Sequence, residues 1–194
     1  CFLPLTMWAM GSLPDRGYAF AKILGLLLVT YVTWIIGEAF PVVESAVLPG
    51  AVAIVAAGLG WWLWRARTLD ALREARTPIL IEEGLFVGGL LLLSALRVST
   101  FGSGIGHTEQ FMDMALLNAS YHSASYPPYD PWMSGHTINY YFLGYLAFAT
   151  LTKLAGVVTS VGYNLALSTI FGFVLSGTYS ILYALTRRLV WPLL

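Results

Sequence analysis

Long apolar segments separated by short polar connections dominate the chain. Five of them approach the length of about 20 mainly apolar residues that a membrane-spanning helix needs. They are residues 19–38, 46–64, 81–96, 138–154 and 163–185, and residues 1–10 resemble the end of a sixth. None alternates between apolar and polar positions as a transmembrane β-strand does. The pattern therefore predicts an all-α, polytopic transmembrane bundle of about five spans, in which Gly84 and Gly88 have the spacing of close helix packing.

Composition agrees with a membrane protein. Of the 194 residues, 58% are hydrophobic and 10% are charged, whereas a soluble domain carries about 25% charged residues. The formal net charge of zero gives no electrostatic basis for binding nucleic acid, so membrane lipid is the expected partner. The single cysteine, Cys1, excludes an intrachain disulfide. We expect residues 1–194 to form a single transmembrane domain that is a fragment of a longer chain.

The basic residues predict how the bundle is oriented. Residues 65–78 contain four arginines, and Arg16 and Lys22 flank the first span. The positive-inside rule assigns such connections to the cytoplasm. Three spans then make residues 98–137 an external loop, which contains no lysine or arginine.

Arg187 and Arg188 do not fit this orientation if all five segments span. Two explanations are open. Either the segment 138–154 is only partly inserted, or the two arginines act on the outer face.

The external loop concentrates titratable side chains. It contains His107, His122 and His136, which are all the histidines of the chain, together with Glu109, Asp113 and Asp130. Residues 109–120 have an apolar stripe at helical spacing, with Thr108 as N-cap, which predicts a short helix in the membrane interface. Glu109 and Asp113 lie four positions apart on one face of that helix. They either favour the helix dipole or form a carboxylate pair that faces a substrate or a divalent cation.

The second half of the loop is interrupted by prolines. Residues 126–129 cannot be helical, because a residue before proline prefers an extended conformation. Asp130 followed by Pro131 predicts a second short helix, with Asp130 as its cap in preference to a catalytic acid. The histidines lack the spacing of a zinc site. His107, the nearest to the acid pair, is the best candidate among them for an auxiliary ligand or proton carrier.

Arg97 ends the third apolar segment at its outer boundary. One interpretation is that its side chain extends to the lipid headgroups. The other is a phosphate clamp, because the planar guanidinium matches phosphate oxygens.

Three segments of the chain resemble one known family. They are DRGYAFAKILGLLLVTYVTW at 15–34, TEQFMDMALLNA at 108–119 and YPPYDPWMSGHTINYYFLG at 126–144. They are similar to large integral membrane proteins named for a Tyr-Tyr-Tyr (YYY) motif, over residues 13–167. Two motifs depart from that family, because Phe142 replaces the third tyrosine and the usual Glu-Lys-Pro-Met-Asp reads Glu-Gln-Phe-Met-Asp here. Family members are several times longer, so an N-terminal portion is expected.

The resemblance implies a function, since this uncharacterised family is grouped by remote similarity with the GT-C glycosyltransferases. These enzymes transfer a sugar from a polyprenyl-phosphate donor at the outer membrane face, some with a divalent cation such as Mg²⁺ or Mn²⁺. The resemblance implies that Glu109 and Asp113 are catalytic and hold the cation. We further expect the substrate to contact Arg97, His107, Asp130, Asn139, Tyr140 and Tyr141. The expected location is the plasma membrane of a prokaryote, with a lipid-linked sugar donor as partner.

A different class of function remains open. The chain could be a non-catalytic transmembrane subunit or accessory protein of a larger membrane complex, with the loop as its docking surface and other membrane subunits as partners. A transporter is a third option, although the sequence places no ionisable residue in the middle of a span, where a relay is expected.

Overall fold

The computed structural model describes residues 2–41, 45–101, 104–106 and 109–193. In these ranges the chain is helical and contains no β-strand beyond an isolated bridge between Tyr129 and Thr137, which confirms the all-α class. The helices are α1 (Leu3–Met10), α2 (Tyr18–Ala39), α3 (Val47–Glu74), α4 (Arg76–Leu96), α5 (Gln110–His122), α6 (Leu143–Ala155) and α7 (Thr159–Thr186). A π-helical turn, Arg97–Phe101, continues α4, and a 3-10 turn, Trp191–Leu193, follows α7.

Among the residues that the structure describes, four helical segments are long and apolar enough to cross a membrane. They are Tyr18–Ala39, Val47–Arg65, Arg76–Ser99 and Thr159–Thr186. Large apolar side chains such as Ile54, Leu91 and Val174 are exposed on them. An exposed apolar surface of this extent suits contact with lipid and confirms a helical membrane bundle.

The segment predicted as a span at 138–154 is shorter than expected. Its helix α6 has 13 residues, or about 20 Å at 1.5 Å per residue, against a hydrocarbon core of about 30 Å. Before the helix, the Ile138 N–H donates to the Pro128 carbonyl at 2.9 Å, which keeps this residue in the loop. After it, Gly156 ends the helix with a left-handed φ of 65°. Where the sequence predicted about five spans, the described residues therefore contain four candidate spans and this shorter apolar helix.

The chain divides into two compact units. Unit 1 comprises residues 1–25, 54–96 and 167–194, and unit 2 comprises residues 26–53 and 97–166. In unit 1, α4 and α7 approach closely at small residues. A Cβ atom added to Gly172 would lie 2.6 Å from the Phe86 carbonyl oxygen, and one added to Gly89 would lie 3.3 Å from Gly172 Cα. The glycines with the predicted spacing, Gly84 and Gly88, face open space instead.

Two apolar clusters hold unit 2 together. The first contains buried Leu116, Ala119 and Ile138. The second contains buried Tyr126 and Leu146. Phe142 packs against both clusters. An aromatic ring without a hydroxyl suits this position, because a phenol here would need a hydrogen-bond partner inside the apolar packing.

Candidate functional site

The helix predicted at residues 109–120 is present as α5, Gln110–His122, whereas its position in the membrane interface stays a prediction. Glu109 stands at its N-terminal end, and its carbonyl accepts a hydrogen bond from the Asp113 N–H at 2.9 Å. The two acids thus lie on successive turns. Thr108, the predicted cap, and His107, the predicted auxiliary ligand, lie outside the described residues.

Asp113 is half-buried and is held by two tyrosines. Tyr145 of α6 donates its hydroxyl hydrogen to Asp113 Oδ1 at 2.5 Å, and Tyr163 of α7 donates to Oδ2 at 3.3 Å. Each carboxylate oxygen therefore has a phenolic donor. Donors of this kind compensate a carboxylate for the water that it loses on partial burial.

The protonation of Tyr145 keeps this arrangement intact. Burial raises the pKa of the Tyr145 hydroxyl above its usual range, and the hydrogen bond to Asp113 and the charge of Asp113 raise it further. Tyr145 consequently stays a hydrogen-bond donor at every physiological pH.

Arg97 is held by α7, the helix that also contributes Tyr163 to Asp113. It begins the π-helical turn after α4 and is half-buried, and its Nε donates to Asn164 Oδ1 at 2.7 Å. Asn164 follows Tyr163 directly, so adjacent residues near the start of α7 hold the arginine and the acid. Arg97 and Asp113 are therefore attached to adjacent residues of α7, and the charges of both act on the Tyr163 hydroxyl.

Two exposed tyrosines extend the site outward. Tyr140 and Tyr141 are 54% and 61% exposed, and their ring centroids are 4.0 Å apart. The ring of Tyr141 also stacks 6.2 Å from that of Tyr145. The hydrogen bond with Tyr141 raises the pKa of Tyr140, and the nearby charge of Glu109 adds to the effect. Exposed aromatic rings thus lead from the surface toward Asp113, and exposed Asn139 precedes them.

Asp130 shapes a turn at a separate place in the loop. Its Oδ1 accepts hydrogen bonds from the backbone N–H groups of Trp132 and Met133, at 2.8 and 3.0 Å, which matches the capping interpretation. The predicted second helix does not form, and this prediction is wrong. The Asp130 N–H donates to the His136 carbonyl at 2.9 Å, and Gly135 adopts a φ of 81°, so the chain turns back after one turn. A contact of Asp130 with substrate stays a prediction.

Metal-binding groups are sparse in this region. In the part of the chain that the structure describes, no group of three or more His, Cys, Asp or Glu side chains could hold a metal ion. Glu109 and Asp113 supply two carboxylates. That donor set fits Mg²⁺ or Mn²⁺ only in the mode in which one or two carboxylates are completed by substrate phosphate and water.

The sequence analysis did not single out Tyr145, Tyr163 or Asn164. Each had a local signal that could have been used. In the span predicted at residues 138–154, Tyr145 lies four residues after Tyr141, a spacing that would place both on one helix face. Tyr163-Asn164 is a polar pair at the start of an apolar span.

Comparison with known proteins identifies a matching family. The family model described as "Uncharacterized membrane protein (DUF2298)" matches residues 28–193. No curated protein and no solved structure matches the chain.

Proposed function

The chain belongs to the DUF2298 family of uncharacterised membrane proteins, and we propose that it is a GT-C-like membrane glycosyltransferase, or the N-terminal part of one. In this proposal it transfers a sugar from a polyprenyl-phosphate donor at the outer membrane face. The observation that supports it best is the pairing of Asp113 and Arg97 through adjacent residues of α7. A carboxylate beside an arginine supplies the two groups that such a transfer needs.

With four spans, the basic residues are consistent with a single orientation of the chain in the membrane. If α6 does not cross the membrane, residues 65–78 and the pair Arg187-Arg188 fall on the same side, which the positive-inside rule assigns to the cytoplasm. Residues 100–158 are then external. Lys153 is the basic residue in that external segment, and it is buried with its Nζ 5.6 Å from the centre of the Tyr121 ring. The discrepancy at Arg187 thereby disappears.

Asp113 acts as the general base in this mechanism. As the acceptor hydroxyl attacks the sugar carbon, it must lose a proton, and a positioned carboxylate accepts it. Tyr145 and Tyr163 fix the orientation of that carboxylate. Glu109 is exposed and lies one turn away, so it is the weaker candidate for the base.

Arg97 binds the donor phosphate. The bond from Nε to Asn164 fixes the plane of the guanidinium, which orients the Nη1 and Nη2 donors. Charge develops on the phosphate as the sugar leaves, and preorganised donors stabilise that charge. Glu109 and Asp113 are the residues that would hold a divalent cation, which would supply further neutralisation of the phosphate.

A second candidate function has its own supporting observation. The side chains of Trp132, Tyr140 and Tyr141 are 62%, 54% and 61% exposed in the loop. Exposed aromatic residues are typical of protein interfaces as well as of membrane surfaces. The alternative is therefore a non-catalytic subunit that docks to other membrane proteins through this surface.

Binding of the lipid-linked sugar donor distinguishes the glycosyltransferase from the docking subunit. The full-length protein in detergent is mixed with a polyprenyl-phosphate monosaccharide, and the lipid-bound fraction is measured by native mass spectrometry. Arg97→Ala is expected to weaken donor binding by about tenfold or more, because it removes charged hydrogen bonds. The matched control is Arg73→Ala, whose side chain is 80% exposed. A wild-type protein that retains no donor would favour the docking function.

A further inference from the structure

A buried carboxylate with three donors lies in unit 1, in the connection between α1 and α2. Asp15 is 0% exposed. Its Oδ1 accepts a hydrogen bond from the Gly17 N–H at 3.1 Å. Its Oδ2 accepts from the Ala19 N–H at 3.2 Å and from the Ser180 hydroxyl at 3.1 Å. These donors suit the ionised form, because an ionised carboxylate is purely a hydrogen-bond acceptor.

Glu82 faces the same place from α4 but has the opposite surroundings. It is 1% exposed, and its carboxyl lies against that of Asp15. No hydrogen-bond donor among the described residues reaches either Glu82 Oε1 or Oε2. An ionised carboxylate placed there would be buried without compensation, which proteins avoid.

The neighbouring charged and phenolic groups do not compensate the Glu82 carboxyl for its missing hydrogen bonds. The groups around the two acids are Tyr18, Lys22, Glu83 and Tyr179. Lys22 Nζ and the Tyr18 hydroxyl both donate to Glu83, and the Tyr179 hydroxyl donates to the Leu189 carbonyl at 3.1 Å. The positive charge of Lys22 is thus matched by Glu83 rather than by Glu82.

A proton on Glu82 removes the need for a donor, because the carboxyl is then neutral. A protonated carboxyl is a donor, and Asp15 is the acceptor that faces it. Two carboxyls in contact away from water do not both ionise, so a proton shared between them is the state that chemistry favours. We propose that Asp15 and Glu82 form a proton-binding site, with the proton carried by Glu82 and the hydrogen bond accepted by Asp15.

An alkali cation is the competing occupant. Three hydrogen atoms already point at the Asp15 oxygens, from Gly17, Ala19 and Ser180. A cation against Asp15 would face these positive hydrogens, whereas a proton from Glu82 completes their pattern. The geometry therefore favours the proton, and this inference is independent of sugar transfer.

Infrared spectroscopy of the full chain tests the proposal. The protein is measured at neutral pH in a detergent without ester groups, so that the carbonyl band of a protonated carboxyl is visible. The wild type is expected to show this band, and Glu82→Gln is expected to lose it. Glu38→Gln, at an exposed acid near the end of α2, is the matched control and is expected to keep it.

Three results would overturn the proposed proton-binding site. A wild-type spectrum without the band, or a band that survives Glu82→Gln, would overturn the proposal. A wild-type band that NaCl or KCl abolishes would show a cation site and overturn it as well. If Glu82→Gln does not fold, Asp15→Asn replaces it, and the band is expected to shift because its acceptor has changed.

Discussion

Glu109 and Asp113 lie four residues apart, yet they occupy different surroundings. Glu109 is exposed, whereas Asp113 is half-buried and has a tyrosine donor on each oxygen. Helical spacing placed the two acids on one face. It could not show which of them is the better candidate for a general base, because that depends on contacts with α6 and α7. The residues that distinguish them, Tyr145 and Tyr163, are separated from α5 in sequence and reach it through packing.

Removing one of these donors should destabilise the protein. Tyr145→Phe leaves Asp113 Oδ1 without its phenolic donor. A hydrogen bond to a charged group contributes about 1.5–3 kcal/mol, and the partial exposure of this pair places the expected loss at the lower end. Thermal unfolding in detergent measures it.

Tyr31→Phe is the control for this change, since Tyr31 is 53% exposed in the same unit. It is expected to unfold at the wild-type temperature. Equal unfolding temperatures for the two variants would show that the bond between Tyr145 and Asp113 contributes nothing to stability.

At the scale of the helices, small residues decide which faces pack. Gly172 of α7 lies against Phe86 of α4 so closely that an added Cβ would be 2.6 Å from the Phe86 carbonyl oxygen. Backbone cannot move aside as a flexible side chain can. The close approach of α4 and α7 therefore depends on this glycine.

Gly172→Ala is expected to destabilise the protein by about 1–3 kcal/mol, as other overpacked sites do. Gly88→Ala is the matched control, because a Cβ at Gly88 meets nothing within 4 Å. There the change should be neutral or slightly stabilising, since alanine is the better helix former. Thermal unfolding of both variants is the measurement, and similar losses in the two would contradict the packing described.

The sequence predicted the helices better than their contacts. Long apolar runs identified the four spans, and the apolar stripe identified α5, because both signals are local. The length of α6 and the turn after Asp130 were missed. They depend on a backbone bond between Pro128 and Ile138 and on left-handed glycines, which hydrophobicity does not record.

The same limit applies to the site. Arg97, Asp113 and the exposed tyrosines could be named from residue type and position. Their attachment to Asn164, Tyr163 and Tyr145 could not, because these bonds connect distant parts of the chain. The spacing of Gly84 and Gly88 suggested helix packing on a face that the structure leaves open.

For the whole molecule, four spans predict which segments lie on each side of the membrane. Single cysteines are placed at Asp70, Ser125 and Thr186, all exposed, in a chain whose Cys1 is replaced by serine. An impermeant thiol reagent added to intact cells is expected to label Ser125→Cys alone. Asp70→Cys and Thr186→Cys should react only after permeabilisation.

The position at Thr186 carries the most information. Its labelling in intact cells together with Ser125→Cys would show that α6 crosses the membrane, and the four-span topology would be wrong. Labelling at Asp70→Cys and Thr186→Cys but not at Ser125→Cys would reverse the orientation and move the proposed chemistry to the cytoplasmic face.

The central claim is that Asp113 performs sugar transfer. The direct measurement is the rate at which the full-length protein, reconstituted in lipid, transfers sugar from a polyprenyl-phosphate donor to an acceptor. Asp113→Asn keeps the shape of the side chain but removes the base, and loss of a general base lowers the rate by about 10²–10⁴. Glu38→Gln, an exposed acid in the same unit, should transfer at the wild-type rate. Transfer that survives Asp113→Asn undiminished, or a wild type that transfers nothing, would contradict the account.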